Sequence, residues 1–463
     1  MDERISKSTE VQSKRYDKNF LKIYLMSFNL TNIRYLNIIS ILFYLIPFSL
    51  GLGSAVPDIL LSVIALSFFF FIVINKYWEI LKNKFAYFFL LFWIIIVINS
   101  FFSENFITSF RISFFYIRYL FFSLAVYYII FNNKKFLLNT FYSITVSLYT
   151  VFFFSFFQLI TGYNIFFDNL NDLVRLGFRN HPQRISGLFG EELILGGYLV
   201  RIFPLYFALY LIQKKKFIIN FSFFSNSILL FIMSLYAGER SAMVLLFLII
   251  VLSYVFIKNF YKIKLYSIIF FSIITILIFT LDEKIKFRFF EQTISHQILQ
   301  NNKIYLFSEQ HQSHFLVAYR IFKDHIIFGS GAKSFSNLCH QKKYNEGIDK
   351  LSKHDGTFIY LSCTTHPHNT YFQILSETGL IGFAFLITIL IYLFKNLSYL
   401  IKIKTTKKLN LEEYNFSIML NILFLAFLFP FIPTGNFFSN WLSVAYYMPV
   451  GFFLYSIDLL KKT

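Results

Sequence analysis

Residues 192–216 read ELILGGYLVRIFPLYFALYLIQKKK. After one glutamate come about twenty residues with a single charge, Arg201, and then three lysines in a row. A helix of roughly 20 apolar residues crosses about 30 Å of hydrocarbon, and only a helix or a closed barrel satisfies its backbone there. The lysines mark the end that stays in the cytoplasm. This stretch is a membrane-spanning helix, and the rest of the chain follows its pattern.

Runs of the same kind predict twelve helices, at 35–52, 57–75, 85–102, 112–131, 138–160, 192–213, 217–236, 241–258, 264–281, 372–394, 415–433 and 437–459. The chain has 463 residues, of which 57% are hydrophobic and 14% charged; soluble chains carry about 25% charged residues. The fold class is therefore an all-α polytopic membrane protein. Lysine-rich connections (KYWEILKNK, NNKK, KKK, KNFYKIK, 395–414 and the final KKT) alternate with connections almost free of lysine and arginine, such as GLGSAVP and PTGN. This alternation puts both termini inside, with a cytoplasmic tail over 1–34 that does not resemble a cleaved signal peptide. The net charge of +19 largely orients helices and does not indicate nucleic acid. The 67 Phe accompany abundant Ile, Asn, Lys and Tyr, as an AT-biased gene produces, and carry no functional weight.

The expected organisation is helices one to nine over 35–281, with an outer loop at 161–191, then a large outer loop over 282–370, and the last three helices within 371–463. Long loops of mixed composition are usually functional or separately folded. All nine histidines lie in these two loops, as do both cysteines, Cys339 and Cys363. In an oxidising compartment two such cysteines form a disulfide by default, stabilising the loop by about 3–4 kcal/mol in the chain-entropy treatment. A zinc site built on Cys339-His340 and the Cys363–His368 stretch competes, although its spacing matches no known module.

In CTTHPHNTYFQILSETGLIG, residues 363–382, Asn369 or Thr370 can cap the helix that follows and so fix the backbone at His368. An imidazole there, with a pKa near neutrality, suits proton transfer or hydrogen bonding to a substrate hydroxyl. Glu377, two turns further in, needs a partner or a polar cavity. Arg240 in YAGERSAM, Arg184 before the sixth helix, Arg118 two turns inside the fourth and Arg201 in the sixth are costly there unless they meet anions. Guanidinium forks suit phosphate oxygens. Internal pairing with Glu191, Glu192, Glu239 or Glu377 is the alternative, and Glu239 is read as positioning Arg240 or contacting substrate. FGSGAKSF at 328–335 is read as a turn. No acidic metal-binding pair or nucleotide loop is found, so the activated donor would already be in the membrane.

The order of RISGLFGEELILGGYL, GER, FKDHIIFGSGAKSF and HPHNTYFQILSETGLIG resembles the O-antigen ligase and O-antigen polymerase superfamily over about residues 180–400. The resemblance implies a GT-C-like glycosyltransferase of the bacterial inner membrane, without metal or other cofactor, and with a periplasmic loop capping a cavity. It also implies an undecaprenyl diphosphate-linked glycan as donor, and a lipid A-core or lipid-linked glycan as acceptor, each met at the membrane lipid. His368 takes the place of the family histidine near the acceptor, and Arg240 and Arg184 those of arginines on the diphosphate. Arg118, Glu192, Glu239, Asn369 and Glu377 are expected to line the substrate. Many members have an arginine early in the large loop, where this chain reads HQSHFLVAYRIF; His314 stands there with Arg320 nearby, leaving the third cationic contact open. Ligase and polymerase differ only in acceptor and are not separated. A polysaccharide or lipid transporter is the rival from another class, although two similar halves, common in transporters, are not evident.

Overall fold

The computed structural model describes residues 30–133, 135–166, 184–190, 192–214, 216–259, 261–294, 299–300, 303–304, 307–348, 350–352, 358–406 and 410–461. The tail up to residue 29, His181, Glu191, His296 and His354 lie outside them. The first half holds α1 (Leu30–Ser49), α2 (Ala55–Ile74), α3 (Lys84–Ser100), α4 (Phe106–Phe115), α5 (Arg118–Asn132) and α6 (Lys135–Thr161). There follow α7 (Leu195–Ile212), α8 (Phe217–Tyr236), α9 (Arg240–Phe256) and α10 (Tyr261–Leu281). The large loop contains α11 (Glu283–Lys286), α12 (Glu309–Asp324) and α13 (Phe335–Leu338). It also holds two small antiparallel pairings, Leu299–Gln300 with Lys303–Ile304 and Lys350–Ser352 with Phe358–Tyr360. The chain closes with α14 (Thr370–Thr406), α15 (Leu411–Phe427), α16 (Asn440–Tyr447) and α17 (Val450–Lys461).

Nine spans among the described residues are long and apolar enough to cross a membrane, and α3 and α9 are shorter apolar helices beside them. The protein is a multi-pass, all-α membrane protein. Its centre is α7, which packs on α15, α8 and α9, while α2 and α17 pack on α5 and α1 on α6. Of α10 only Ile278 is buried among the described residues. The loop has its own small core of Val317, Ala318, Ile321, Phe335, Leu338, Cys339 and Tyr344.

Several helix boundaries differ from expectation. The fourth helix breaks at Tyr116–Ile117, and Arg118 starts α5, where Asp58 pairs with it at 2.8 Å. The last breaks before Pro449, which has no N–H to continue the ladder. The tenth runs on to Thr406. The eleventh starts at the Asn410 cap and stops at Phe427, ahead of Pro430 and Pro433.

One break decides how the loop sits. Within α14, Gly379 has φ 65° and ψ −164°. The donors released there are taken by the loop: Leu380 N–H bonds Ile326 O at 2.8 Å and Ile381 N–H bonds Ile327 O at 3.3 Å. In return Ser330 and Gly331 donate to the carbonyls of Ser376 and Glu377. A Cβ on Gly379 would lie 2.3 Å from Ile327 O, and one on Gly329 2.4 Å from the Glu377 backbone. Only glycine on both sides permits this approach. The turn FGSGAKSF is thus the seat of the loop on α14.

Candidate functional site

His368 sits immediately before α14 with φ 55°, a left-handed conformation that costs energy outside glycine. Two contacts hold it there. Its carbonyl accepts from Thr434 N at 2.8 Å, and Asn369 caps the helix, Oδ1 accepting from Tyr371 N at 2.9 Å and Phe372 N at 3.3 Å. The Asn369 amide nitrogen donates to Pro430 O at 2.9 Å. The expected cap is therefore Asn369, and its side chain is engaged by the fold on both ends.

Three other imidazoles surround His368. Ring centroids lie 4.1 Å away for His366, 5.1 Å for His314 and 5.5 Å for His311. His311 and His314 come from successive turns of α12, capped by Ser308, whose hydroxyl also meets His311 Nδ1 at 2.8 Å. His366 is tied at Nε2 to Thr434 O at 3.1 Å, and His368 Nε2 lies 3.4 Å from Thr364 Oγ1. Among the described residues neither ring nitrogen of His314 meets a partner in full hydrogen-bond geometry, although the nearby Leu361 backbone favours its charged form. Burial, then the neighbouring imidazoles, push His368 down to about 3. Burial does the same for His314 and His366, to about 4. The near-neutral pKa expected for His368 is corrected accordingly: at neutral pH the cluster is uncharged, with lone pairs able to accept hydrogen bonds.

The second cluster is cationic. Arg184 donates from Nε to Ala237 O at 2.9 Å and from Nη2 to Leu193 O at 2.7 Å, with Glu239 Oε1 at 3.6 Å. Glu239 itself caps α7, accepting from Gly196 N at 2.8 Å and Gly197 N at 3.1 Å. Burial pushes the Glu239 carboxyl up, against the pull of Arg184 and Arg201. Glu239 thus positions Arg184 and the start of α7 more directly than it does Arg240. Gly238, with φ 63°, leaves a Cβ no room: the Arg184 side chain would be 3.0 Å away. Arg240 opens α9 and reaches Thr293 Oγ1 at 3.3 Å.

A third guanidinium completes the group. Arg288 donates to Gly238 O at 3.1 Å and Gln292 Oε1 at 2.8 Å, and its charge is felt by both Arg184 and Arg240. It adds a third cation, where the sequence reading had left a third cationic contact open. Arg320 is elsewhere, bonded to the carbonyls of Tyr344 and Glu346, and His314 belongs to the imidazole group. Burial, and then the charge of Arg240, hold the His311 imidazole below its ordinary pKa.

The remaining expected residues are placed as follows. Glu377, 0% exposed, accepts from Lys333 N at 3.0 Å, Phe335 N at 3.2 Å and Gln373 Nε2 at 3.0 Å, so it holds the loop. Arg118 pairs with Asp58 and reaches Asn440 Oδ1. Glu192 is exposed and makes no side-chain bond among the described residues. Arg201 bonds its own helix at Gly197 O. Cys339 and Cys363 are joined. Cys339, His340 and Cys363 present ligand atoms within 4.8 Å of one another, but sulfurs bonded to each other offer no thiolates.

Residues 225–387 match the family model described as O-antigen ligase. This segment is similar to the O-antigen ligase family. It begins within α8, ends within α14, and contains Glu239, Arg240, Arg288, the four clustered histidines, both cysteines and Glu377; Arg184 precedes it. No curated protein matches the chain.

Proposed function

We propose that this protein is an inner-membrane glycosyltransferase that moves a glycan from undecaprenyl diphosphate to an acceptor hydroxyl on the periplasmic face. The observation that carries this reading is the packing of three imidazoles around His368, in a fold that also gathers Arg184 and Arg288 at the Ala237–Gly238 turn before Arg240, because the two groups suit the two ends of such a reaction. As the anomeric C–O bond breaks, negative charge develops on the departing diphosphate. Arg240 and Arg288, with the uncommitted Nη1 of Arg184, meet it with preorganised cationic donors. The acceptor hydroxyl donates a hydrogen bond to neutral His368, which either orients it or takes its proton as the new glycosidic bond forms. Asn369 and Glu377 act by position, the first holding His368 and the second holding the loop.

His368→Ala and Arg240→Ala membranes are expected to lose glycan transfer while retaining the folded protein, and wild-type rates in both would end this assignment. The acceptor is read from the lipopolysaccharide of a deletion strain. Loss of all capped core identifies a ligase acting on lipid A-core, and a single-repeat band identifies a polymerase joining lipid-linked repeats.

A further inference from the structure

The turn that leaves α12 presents three large apolar residues in succession to the outside. Ile326, Ile327 and Phe328 are 48%, 58% and 38% exposed, although the loop over 282–370 reads in sequence as water-facing. Their neighbours say what they face. The carbonyls of Ile326 and Ile327 accept from the amides of Leu380 and Ile381, which lie inside the long apolar span Thr370–Ile403. The Phe328 ring stacks on Phe102, just past the end of α3, with 5.5 Å between centroids. Phe102 and Leu380 are themselves exposed, so the patch is continuous with the outer surfaces of two membrane helices. The seat is gripped from three sides: Asn99 of α3 donates to Glu377 O at 2.8 Å, Ser109 of α4 to Ala332 O at 3.0 Å, and Ser330 and Gly331 to α14.

Two helices place this patch in the bilayer independently. The α14 sequence carries no charge from Thr378 to Phe394. Counted back from Lys395, about 20 residues of span put the outer boundary near residue 375, so at about 1.5 Å per residue Leu380 lies about 7–8 Å inside it. Counted forward from Lys84 at the lysine-rich end of α3, about 20 residues reach roughly to Glu104, so Phe102 also falls inside. The turn bonded to Leu380 and stacked on Phe102 is carried to the same depth. We propose that Ile326, Ile327 and Phe328 insert into the acyl chains of the leaflet on the loop side. The partner of this surface is lipid hydrocarbon, and the loop is embedded in the membrane along this edge. His311 and His314, on the helix that runs into the turn, and His368, which opens α14, are thereby held at the bilayer surface. The insertion does not depend on the transferase reading.

Two measurements on the full chain in nanodiscs of phosphatidylethanolamine and phosphatidylglycerol test this. The two native cysteines are joined, so Ile326→Cys, Ile327→Cys and Glu346→Cys each offer one free thiol to a nitroxide label. Electron paramagnetic resonance then compares label collisions with oxygen, which concentrates in hydrocarbon, and with a water-soluble nickel chelate. Oxygen is expected to dominate at 326 and 327, and nickel at 346, an exposed position elsewhere on the loop. Nickel dominance at both turn positions overturns the proposal. Protection from both reagents overturns it as well, since a second copy or another protein would then cover the patch. In the second measurement, Ile327→Asp is expected to quicken hydrogen exchange over 330–338 several-fold while Ile327→Leu does not, because a carboxylate among acyl chains lifts the turn. Exchange in Ile327→Asp equal to that of the wild type overturns the proposal, because a water-facing position tolerates the charge.

Discussion

Replacing Glu377 by Gln tests whether this carboxylate is what seats the loop. The side chain is fully buried, and its two oxygens receive Lys333 N, Phe335 N and Gln373 Nε2 at 3.0–3.2 Å. Glutamine offers one oxygen and one NH2 group in the same volume. Gln373 cannot turn its own oxygen to help, because Phe437 N donates to it at 2.8 Å. At least one backbone N–H of the loop therefore loses its acceptor and faces another donor. An orphaned buried donor costs about 1–3 kcal/mol, which is about a five- to 150-fold larger population of the opened loop. Hydrogen-exchange mass spectrometry on peptides spanning 330–338 reads that change directly. Exchange in Glu377→Gln is expected to quicken by that factor while peptides of α7 stay unchanged, and Glu377→Ala should go further. Equal protection at Lys333 and Phe335 in wild type and Glu377→Gln would refute the role given to the carboxylate.

Three other expectations follow from the site. The imidazoles titrate near 6.5 when unfolded and at about 3 to 4 when folded, so the unfolded chain binds more protons in between. The stability they lend is complete above about pH 6.5 and falls as the pH drops through the folded values; thermal melts at pH 7.5 and 5 should show the lower midpoint at pH 5. Cys339→Ser, Cys363→Ser and the double variant should each lose about 3–4 kcal/mol of loop stability and equal fractions of activity. A double variant worse than either single would rule out one shared bond. Because guanidiniums supply the positive charge in the proposed reaction, transfer in purified membranes is expected to continue at full rate after dialysis against EDTA, and its loss would reinstate a metal.

The apolar runs and their lysine-rich ends made the membrane helices legible, and the cap at Asn369 could be read because it is local. The broken helices were less visible, since the ion pair that starts α5 joins Asp58 to Arg118, residues far apart in the chain. Arg288 was missed for a similar reason: KIKFRFFEQ has no motif, and the residue matters only because the loop returns it to Gly238. His311 and His314 share one face of α12 by their spacing, which was available to reading. Their meeting with His366 and His368 was not, because it depends on how α12 lies against α14. FGSGAKSF passed for a turn because its partner, the break at Gly379, looks in sequence like ordinary helix.

That break limits how a substrate can arrive. Lifting residues 326–331 off α14 would strip the amides of Leu380 and Ile381 of their acceptors, in surroundings where each costs several kcal/mol. A covalent staple across this contact should accordingly leave turnover intact, and a staple that halts turnover would contradict the idea. The seated loop is a ceiling and not a door. If the proposed function holds, a lipid-tailed donor would slide in sideways between helices, its tail staying in the bilayer, and the freely moving parts of the machine are to be sought along its walls.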